Sequence, residues 1–532
     1  MELTEEIQTE PVTTDHGHKT NVRHVVRGST LRVAGLVANT CIAFFMMPFV
    51  VHHLGDRIYG YWVLVGSVLG YYGILDFGIV SAVQYFVAKA LGERDSSLVN
   101  RTIATSFFTF AGIGFLTLGV TGVLAFAAAM FTNDPAQIRL LRFVLLIMGA
   151  GFAIGFPGRA LLGALAAHLR MDLVSLVGLV TLVLRAGLIV ISIEAGYGII
   201  GLACATVFTD LLTYISFYFM LRKIQHPFVL SIVLADLSTL KQILQYGIFT
   251  FIVKFSDQLR FYVDALVVSA LVGVTAVTHY SVASRLALSL MEFMIALVGL
   301  LSAWFSLLAG KRDYQRIRKL FGFGTKVSVA VATAIVVPII LNGNGFISLW
   351  MGKTYTDAYV PLCLLATGIF FDVAQQTSVC YLFGVSLNRF LAQITLVEGI
   401  VNVILSVFLA RRYGLSGVAA GTLIPMFLFK FCVQPVYVCR QIGIEVKSYY
   451  LEMFGRTTVI TALAGIVLWM LLFRHVPQTN LAEASFLIAV QMALALACGF
   501  VFIFNSEERA MLIASFFHAF DVRRAAVSPA QS

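Results

Sequence analysis

YGIIGLACAT (197–206) and YGLSGVAAGT (413–422) are two versions of one phrase, set at an offset of 216 residues (413 minus 197). Five positions coincide: Tyr197/Tyr413, Gly198/Gly414, Gly201/Gly417, Ala203/Ala419 and Thr206/Thr422. Each phrase opens an apolar stretch, and a weaker echo pairs Gly55 with Gly273 and Trp62 with Tyr280. Six apolar stretches separate the copies. An even number returns the chain to the same side of a bilayer, so the copies share one orientation. That pattern predicts a parallel repeat, two six-helix lobes related by an axis along the membrane normal. Duplication within a channel or a scaffold would leave the same trace.

The whole chain supports a membrane setting. Of 532 residues, 59% are hydrophobic and 12% charged, and the mean hydropathy is +0.90. A helix needs about 20 apolar residues to cross a hydrocarbon core. Fourteen stretches qualify, at 28–53, 60–91, 101–131, 139–164, 172–193, 199–222, 242–271, 277–308, 317–341, 358–384, 391–410, 416–438, 455–473 and 484–505. The expected fold is therefore all-α and polytopic, with about 14 transmembrane helices. The expected divisions are a tail 1–27, an N-lobe 28–223, a linker 224–241, a C-lobe 242–440, two further helices within 441–505, and a tail 506–532. The acidic-then-basic segment Met1 to Arg27 has no apolar core of a signal peptide and reads as a disordered tail. Seven cysteines lie in or near apolar stretches without metal-ligand spacing and read as small buried hydrophobes. Neither a metal nor a cofactor is expected.

The net charge of +10 would suggest nucleic acid in a soluble chain, but its placement argues otherwise. Roughly 25 Lys and Arg fall with the N-terminal tail and the even-numbered loops, against about 7 in the odd-numbered loops. This asymmetry places both termini in the cytoplasm, together with Lys311, Arg312, Arg316, Arg318 and Lys319. No nucleic-acid partner is implied.

Charges inside the spans are the candidate functional residues. KFSDQLRFYVD puts Lys254, Asp257, Arg260 and Asp264 within an arc of roughly 120° on one helix. Ser281, Arg285, Ser289 and Glu292 form a narrower stripe on the next. Asp76, Arg185, Asp210, Lys326, Asp372 and Glu398 complete the intramembrane set. Each would cost about 2.5–3.5 kcal/mol facing lipid at mid-span, so they are expected inside the bundle. Two readings of the first set are open. Asp257–Arg260 and Arg260–Asp264 form a ladder within one helix, or the set lines a wet cavity for something ionic. Lys254, Arg260, Arg285, Arg32 and Asp76 are the candidate substrate-binding residues. Asp257, Asp264, Glu292, Asp372 and Glu398 are the candidates for ion coupling. No GxxxxGK[ST], HExxH, GxSxG or CxxC signature occurs, so no enzyme is expected.

GSTLRVAGLVANTCIAFFMMPFVVHHLGDRIYGYWVL (28–64) followed by YYGILDFGIVSAVQYFVAKALGERD (71–95) resembles the opening of the polysaccharide-transport flippases. These belong to the multidrug/oligosaccharidyl-lipid/polysaccharide exporter superfamily. The matching elements are Leu54-Gly55, Tyr59-Gly60 and Leu75-Asp76-Phe77-Gly78. In the second half they are Asp264, Leu271-Val272-Gly273, Tyr280 and the run to Arg285. The resemblance implies export of an undecaprenyl-pyrophosphate-linked oligosaccharide from the inner to the outer leaflet of the cell membrane. The implied partners are that lipid-linked oligosaccharide, membrane lipids and a coupling ion, proton or sodium, with a polysaccharide polymerase and glycosyltransferases alongside. An ion-coupled multidrug exporter of the same superfamily is the alternative; those have twelve spans. An integral-membrane polymerase is a third reading. It would carry a long external loop, and here the longest, Asn342 to Tyr359, is short and poor in acids.

Overall fold

The computed structural model describes residues 15–509, apart from 131, 133, 299, 300, 386, 474–479 and 507. The described residues hold no strand. The first half comprises α1 (Asp15–Leu54), α2 (Asp56–Gly70), α3 (Ile79–Gly92), α4 (Ser96–Phe126), α5 (Pro135–Gly155), α6 (Gly158–Ala167), α7 (Met171–Glu194) and α8 (Gly198–Ile224). The second comprises α9 (Leu237–Phe261), α10 (Val263–Leu271), α11 (Val274–Val298), α12 (Leu301–Gly310), α13 (Tyr314–Trp350), α14 (Tyr359–Ala374), α15 (Gln376–Gly384), α16 (Asn388–Met426) and α17 (Gln434–Ile442). The short α18 (Val446–Ser448), α19 (Arg456–Leu468) and α20 (Leu481–Phe502) close the chain.

Among the described residues, 11 helices are long and apolar enough to cross a membrane, against the fourteen expected. Residues 389–442 form one of the 11, although the chain turns inside them at Gly414 (φ 57°, ψ −132°). The α9–α12 segment is not among the 11.

Local sequence explains where helices start and break. Asp95, Asp134, Asp236 and Asp313 each accept backbone N–H bonds at a helix start, replacing partners that the first turn lacks. Bonds donated by Ser238 and Thr239 hold the Asp236 carboxyl below the usual carboxylate range. The expected span 60–91 breaks at Phe77 and Gly78 (φ 46° and 72°). There a Cβ on Gly78 would overlap the Gly247 carbonyl, and one on Gly247 would overlap that of Phe77. The two backbones touch, so neither position has room for a side chain. Pro157 splits the span expected at 139–164 into α5 and α6.

Two boundaries differ from expectation. Helix α1 begins at Asp15, so the tail expected to reach residue 27 is helical over its second half. Helix α13 continues to Trp350, past the Asn342 that read as the start of a loop. Asn342 is satisfied inside the bundle: its amide donates to Pro338 O (3.0 Å) and Gln491 Oε1 (3.1 Å), and its oxygen accepts from Trp469 Nε1 (3.0 Å). These bonds also fasten the C-terminal helices to α13.

The repeated phrase is one device used twice. Gly198 (φ 53°) and Gly414 (φ 57°) turn the chain. A Cβ on Gly201 would press on Ser192, and one on Gly417 on the Leu409 carbonyl, so each hairpin closes tightly upon itself. Gly55 and Gly273, the weaker echo, also turn with positive φ. Buried apolar side chains fall into two large clusters. One draws on residues from Tyr61 to Ile243, the other on residues from Val263 to Phe454. Helix α1 crosses between them, giving Met47 and Val51 to the second cluster.

Candidate functional site

Two neighbouring cavities lie where helices of the two halves meet. The first, about 400 Å³, is walled by α1, α2, α7, α8 and α11, and both Arg185 and Arg285 line it. Its remaining wall is largely apolar, including Met46, Met47 and Trp62, with Asn39, Tyr59, Ser281 and Ser284 as polar groups. The second, about 320 Å³, is walled mainly by α2, α10, α11, α14 and α16 and contains Asp264. Ser281, Ser284 and Leu288 of α11 belong to both walls.

Arg185 projects from α7 and is steadied from α8: Nε donates to Thr209 Oγ1 (2.9 Å) and Nη2 to Asp210. Pairing with Asp210 lets a guanidinium sit at mid-span without facing lipid. Arg285 reaches the same cavity from the other half.

Asp264 is buried. Its Oδ2 accepts from Tyr280 (2.5 Å) and Thr422 (3.0 Å), and its buried Oδ1 has no hydrogen-bond partner. Thr422 accepts in turn from Asn402 Nδ2 (3.0 Å), and Ser406 donates to Val418 O (3.4 Å) nearby. A carboxylate with a spare oxygen, among hydroxyl and carbonyl oxygens, is suited to hold a proton or a hard cation. Thr422 belongs to the second copy of the repeat. The hydroxyl of its counterpart Thr206 donates back to Leu202 O (2.8 Å), while that of Thr422 also reaches Asp264.

Asp372 and Glu398 are brought together by a residue the sequence reading did not single out. Lys430 Nζ lies 3.2 Å from Asp372 and 3.7 Å from Glu398, with all three side chains at most 3% exposed. Lys430 sits in a π-helical turn, Phe427–Val433, just after Pro425. Such turns interrupt helices at functional positions. The available signal was a lysine within the apolar run FLFKFC. Neither acid lines the two cavities.

The other candidates are scattered. Asp76 is buried at the helix break, accepts from Val80 N (3.2 Å) and lines neither cavity. Arg32 is exposed on α1, outside both walls. Lys254, Asp257, Arg260 and Glu292 belong to α9 and α11, and their side chains lie outside the described residues. Lys326 pairs with Glu508 (2.8 Å). No group of three or more His, Cys, Asp or Glu that could hold a metal occurs among the described residues.

At one end of the seam, side chains from the two halves meet. Asp56, which opens α2, accepts from Tyr355 and lies 3.5 Å from His279 Nε2. His279 Nδ1 is 2.8 Å from Asp357. Thr278 donates to the Asp56 carbonyl (2.6 Å), and Trp350 Nε1 donates to Phe44 O (2.9 Å).

Comparison with known proteins agrees with this architecture. A family model described as polysaccharide biosynthesis protein matches residues 69–361. A Shigella flexneri protein provisionally described as an O-antigen transporter is 21% identical over 422 residues, covering 78% of this chain and 97% of that protein. The membrane protein EpsK of Bacillus subtilis (strain 168), itself uncharacterized, is 24% identical over 430 residues, covering 77% and 82%. Among solved structures, the lipid II flippase MurJ in an inward closed conformation superposes with a TM-score of 0.69 at 16% identity, covering 90% of this chain and 98% of that one. An inward-facing multidrug resistance transporter of the MATE family gives 0.67 at 16%, covering 78% and 98%. These likenesses establish a shared fold.

Proposed function

This chain belongs to the polysaccharide biosynthesis protein family, and on that premise we propose that it is a flippase for a lipid-linked oligosaccharide. The cargo is an undecaprenyl-pyrophosphate-linked precursor moved from the inner to the outer leaflet of the cell membrane. Two lobes, 28–223 and 242–440, alternate access to a site between them, and both termini are cytoplasmic. The observation that carries this reading is the cavity at the seam holding one arginine from each half, Arg185 and Arg285. Guanidinium forks bind phosphate oxygens in pairs, and a phosphate gripped from both halves would draw the halves together. The apolar wall suits the uncharged parts of such a cargo.

The Asp56–Tyr355–His279–Asp357 contacts act as a latch on the external end. Asp264 serves the coupling ion, proton or sodium: it is a buried carboxylate on the cavity wall whose Oδ2 is held by Tyr280 and Thr422. Asp372 and Glu398, beside Lys430, are further candidates for ion coupling. No catalytic step is required. The relative provisionally described as an O-antigen transporter supports the flippase over the drug exporter.

Replacing Arg285 by Glu tests the reading in cells. Export of polysaccharide is expected to stop while insertion and expression persist. Unimpaired export with Arg285→Glu would remove the arginine pair as the cargo site.

A further inference from the structure

We propose that the contacts joining the halves around Asp56 and His279 form a latch fastened by acid, through protonation of His279 and His52. This inference rests on the reading that places these contacts at the external end, and adds the condition under which they hold.

Each ring sits between two oxygen acceptors. His279 Nδ1 is 2.8 Å from Asp357 Oδ1, and its Nε2 is 3.5 Å from Asp56 Oδ2. His52 Nδ1 is 2.7 Å from Pro48 O, and its Nε2 is 3.0 Å from Met351 O. A carbonyl or an ionised carboxylate only accepts, and a neutral imidazole carries one N–H. The neutral ring therefore satisfies one contact and sets a lone pair against an oxygen at the other. In both histidines the shorter contact stays within one half and the longer one crosses to the other half. A neutral ring keeps its proton on the nearer partner, so the crossing bond is the one lost. The imidazolium donates to both partners. The joined arrangement is thus favoured on the acid side, and loses that favour as pH rises through the range of imidazole.

The surroundings of the rings suit such a response. Around His279, α2 gives Asp56, and the turn Lys353–Ala358 gives Tyr355 and Asp357. Arg57 and Lys353, the next charges on those two segments, are exposed. From α10, Asp264 is bonded to Tyr280, and from α14, Asp372 is held by Lys430. From α1, His52 meets the Tyr355 ring edge-on at 6.4 Å. The Asp357 side chain is 55% exposed, so water delivers protons to the His279 ring. His53 has the same two-acceptor pattern, with Phe49 O at 2.8 Å and Glu194 at 3.6 Å. Both of its partners lie in the first half, so its protonation joins nothing across the seam.

Pulsed electron spin resonance distances across the latch test this, with the full chain in lipid nanodiscs and no cargo present. Labels on Tyr197→Cys and Val360→Cys, exposed positions in the first and second half, report the separation once Cys41, Cys204 and Cys432 are replaced by Ser. The ratio of short to long separations is expected to rise about fivefold from about pH 8 to about pH 5, the worth of one partly exposed ion pair. His279→Gln combined with His52→Gln should abolish the response, and His53→Gln should preserve it. A ratio independent of pH in the chain with all three histidines would overturn the acid latch. So would a response that survives the combined variant, or one that His53→Gln abolishes. Failure of leaflet exchange would remove the flippase reading without altering these distances, so the two can fail separately.

Discussion

Asp56 Oδ2 and His279 Nε2 stand 3.5 Å apart, one at the start of α2 and the other near the start of α11. Tyr355 reaches the same carboxylate from 299 positions away in the sequence. If these contacts latch the external end, His279→Ala should expose the seam to the outside. Ser284, shared by both cavities, makes a reporter as Ser284→Cys once the exposed Cys41, Cys204 and Cys432 are replaced by Ser. A membrane-impermeant maleimide should label it faster from outside when His279 is removed. An unchanged rate would show that the latch does not control access.

Asp264→Asn keeps the shape and the bonds from Tyr280 and Thr422 while removing the charge. A folded protein is expected whose transport has lost its dependence on the ion gradient. Thr422→Ala should lower stability by about 1–3 kcal/mol, because it deprives a buried carboxylate oxygen of a donor. Thermal melting reads the second, and transport under imposed gradients reads the first.

Lys430→Met should be the most damaging single change in the second half. It leaves Asp372 and Glu398 buried without the ammonium between them, an effect of about 3–5 kcal/mol. Adding Asp372→Asn should recover part of the lost melting temperature. A cycle of the two single variants and the double variant measures the coupling, and strict additivity would contradict the pairing.

Gly78→Ala and Gly247→Ala should each cost at least about 1–3 kcal/mol, since the added carbon meets a carbonyl oxygen across the helix contact. Gly73→Ala, with nothing within 4 Å of the new carbon, is the control and should be neutral. Yield and melting temperature of the purified proteins check this.

Much of the architecture was legible because it is periodic or punctuated. Apolar runs mark helices, and Gly198 and Gly414 mark matching turns because only glycine enters their positive-φ conformation without strain. What escaped depends on where distant helices point. Lys430 could be seen as an intramembrane lysine, but its meeting with Asp372 and Glu398 is set by the packing of α14, α16 and the π turn. Asp76 read as a cavity charge. It lies at the helix break before Phe77, invisible to a 3.6-residue period, and its carboxylate accepts from the Val80 N–H. The Asp56–His279–Tyr355 contacts join positions far apart in the sequence, whose meeting no local pattern reports. Arg185 was noticed as a charge but not as a cavity residue, since its azimuth relative to α11 comes only from tertiary structure.

The central claim is tested most directly by leaflet exchange in proteoliposomes holding a fluorescent undecaprenyl-pyrophosphate-linked oligosaccharide, with a membrane-impermeant quencher outside. The account predicts exchange well above that of protein-free liposomes, falling to the protein-free rate with Arg185→Gln and Arg285→Gln combined. Wild-type protein that exchanges the lipid no faster than empty liposomes, under every imposed ion gradient, would contradict it.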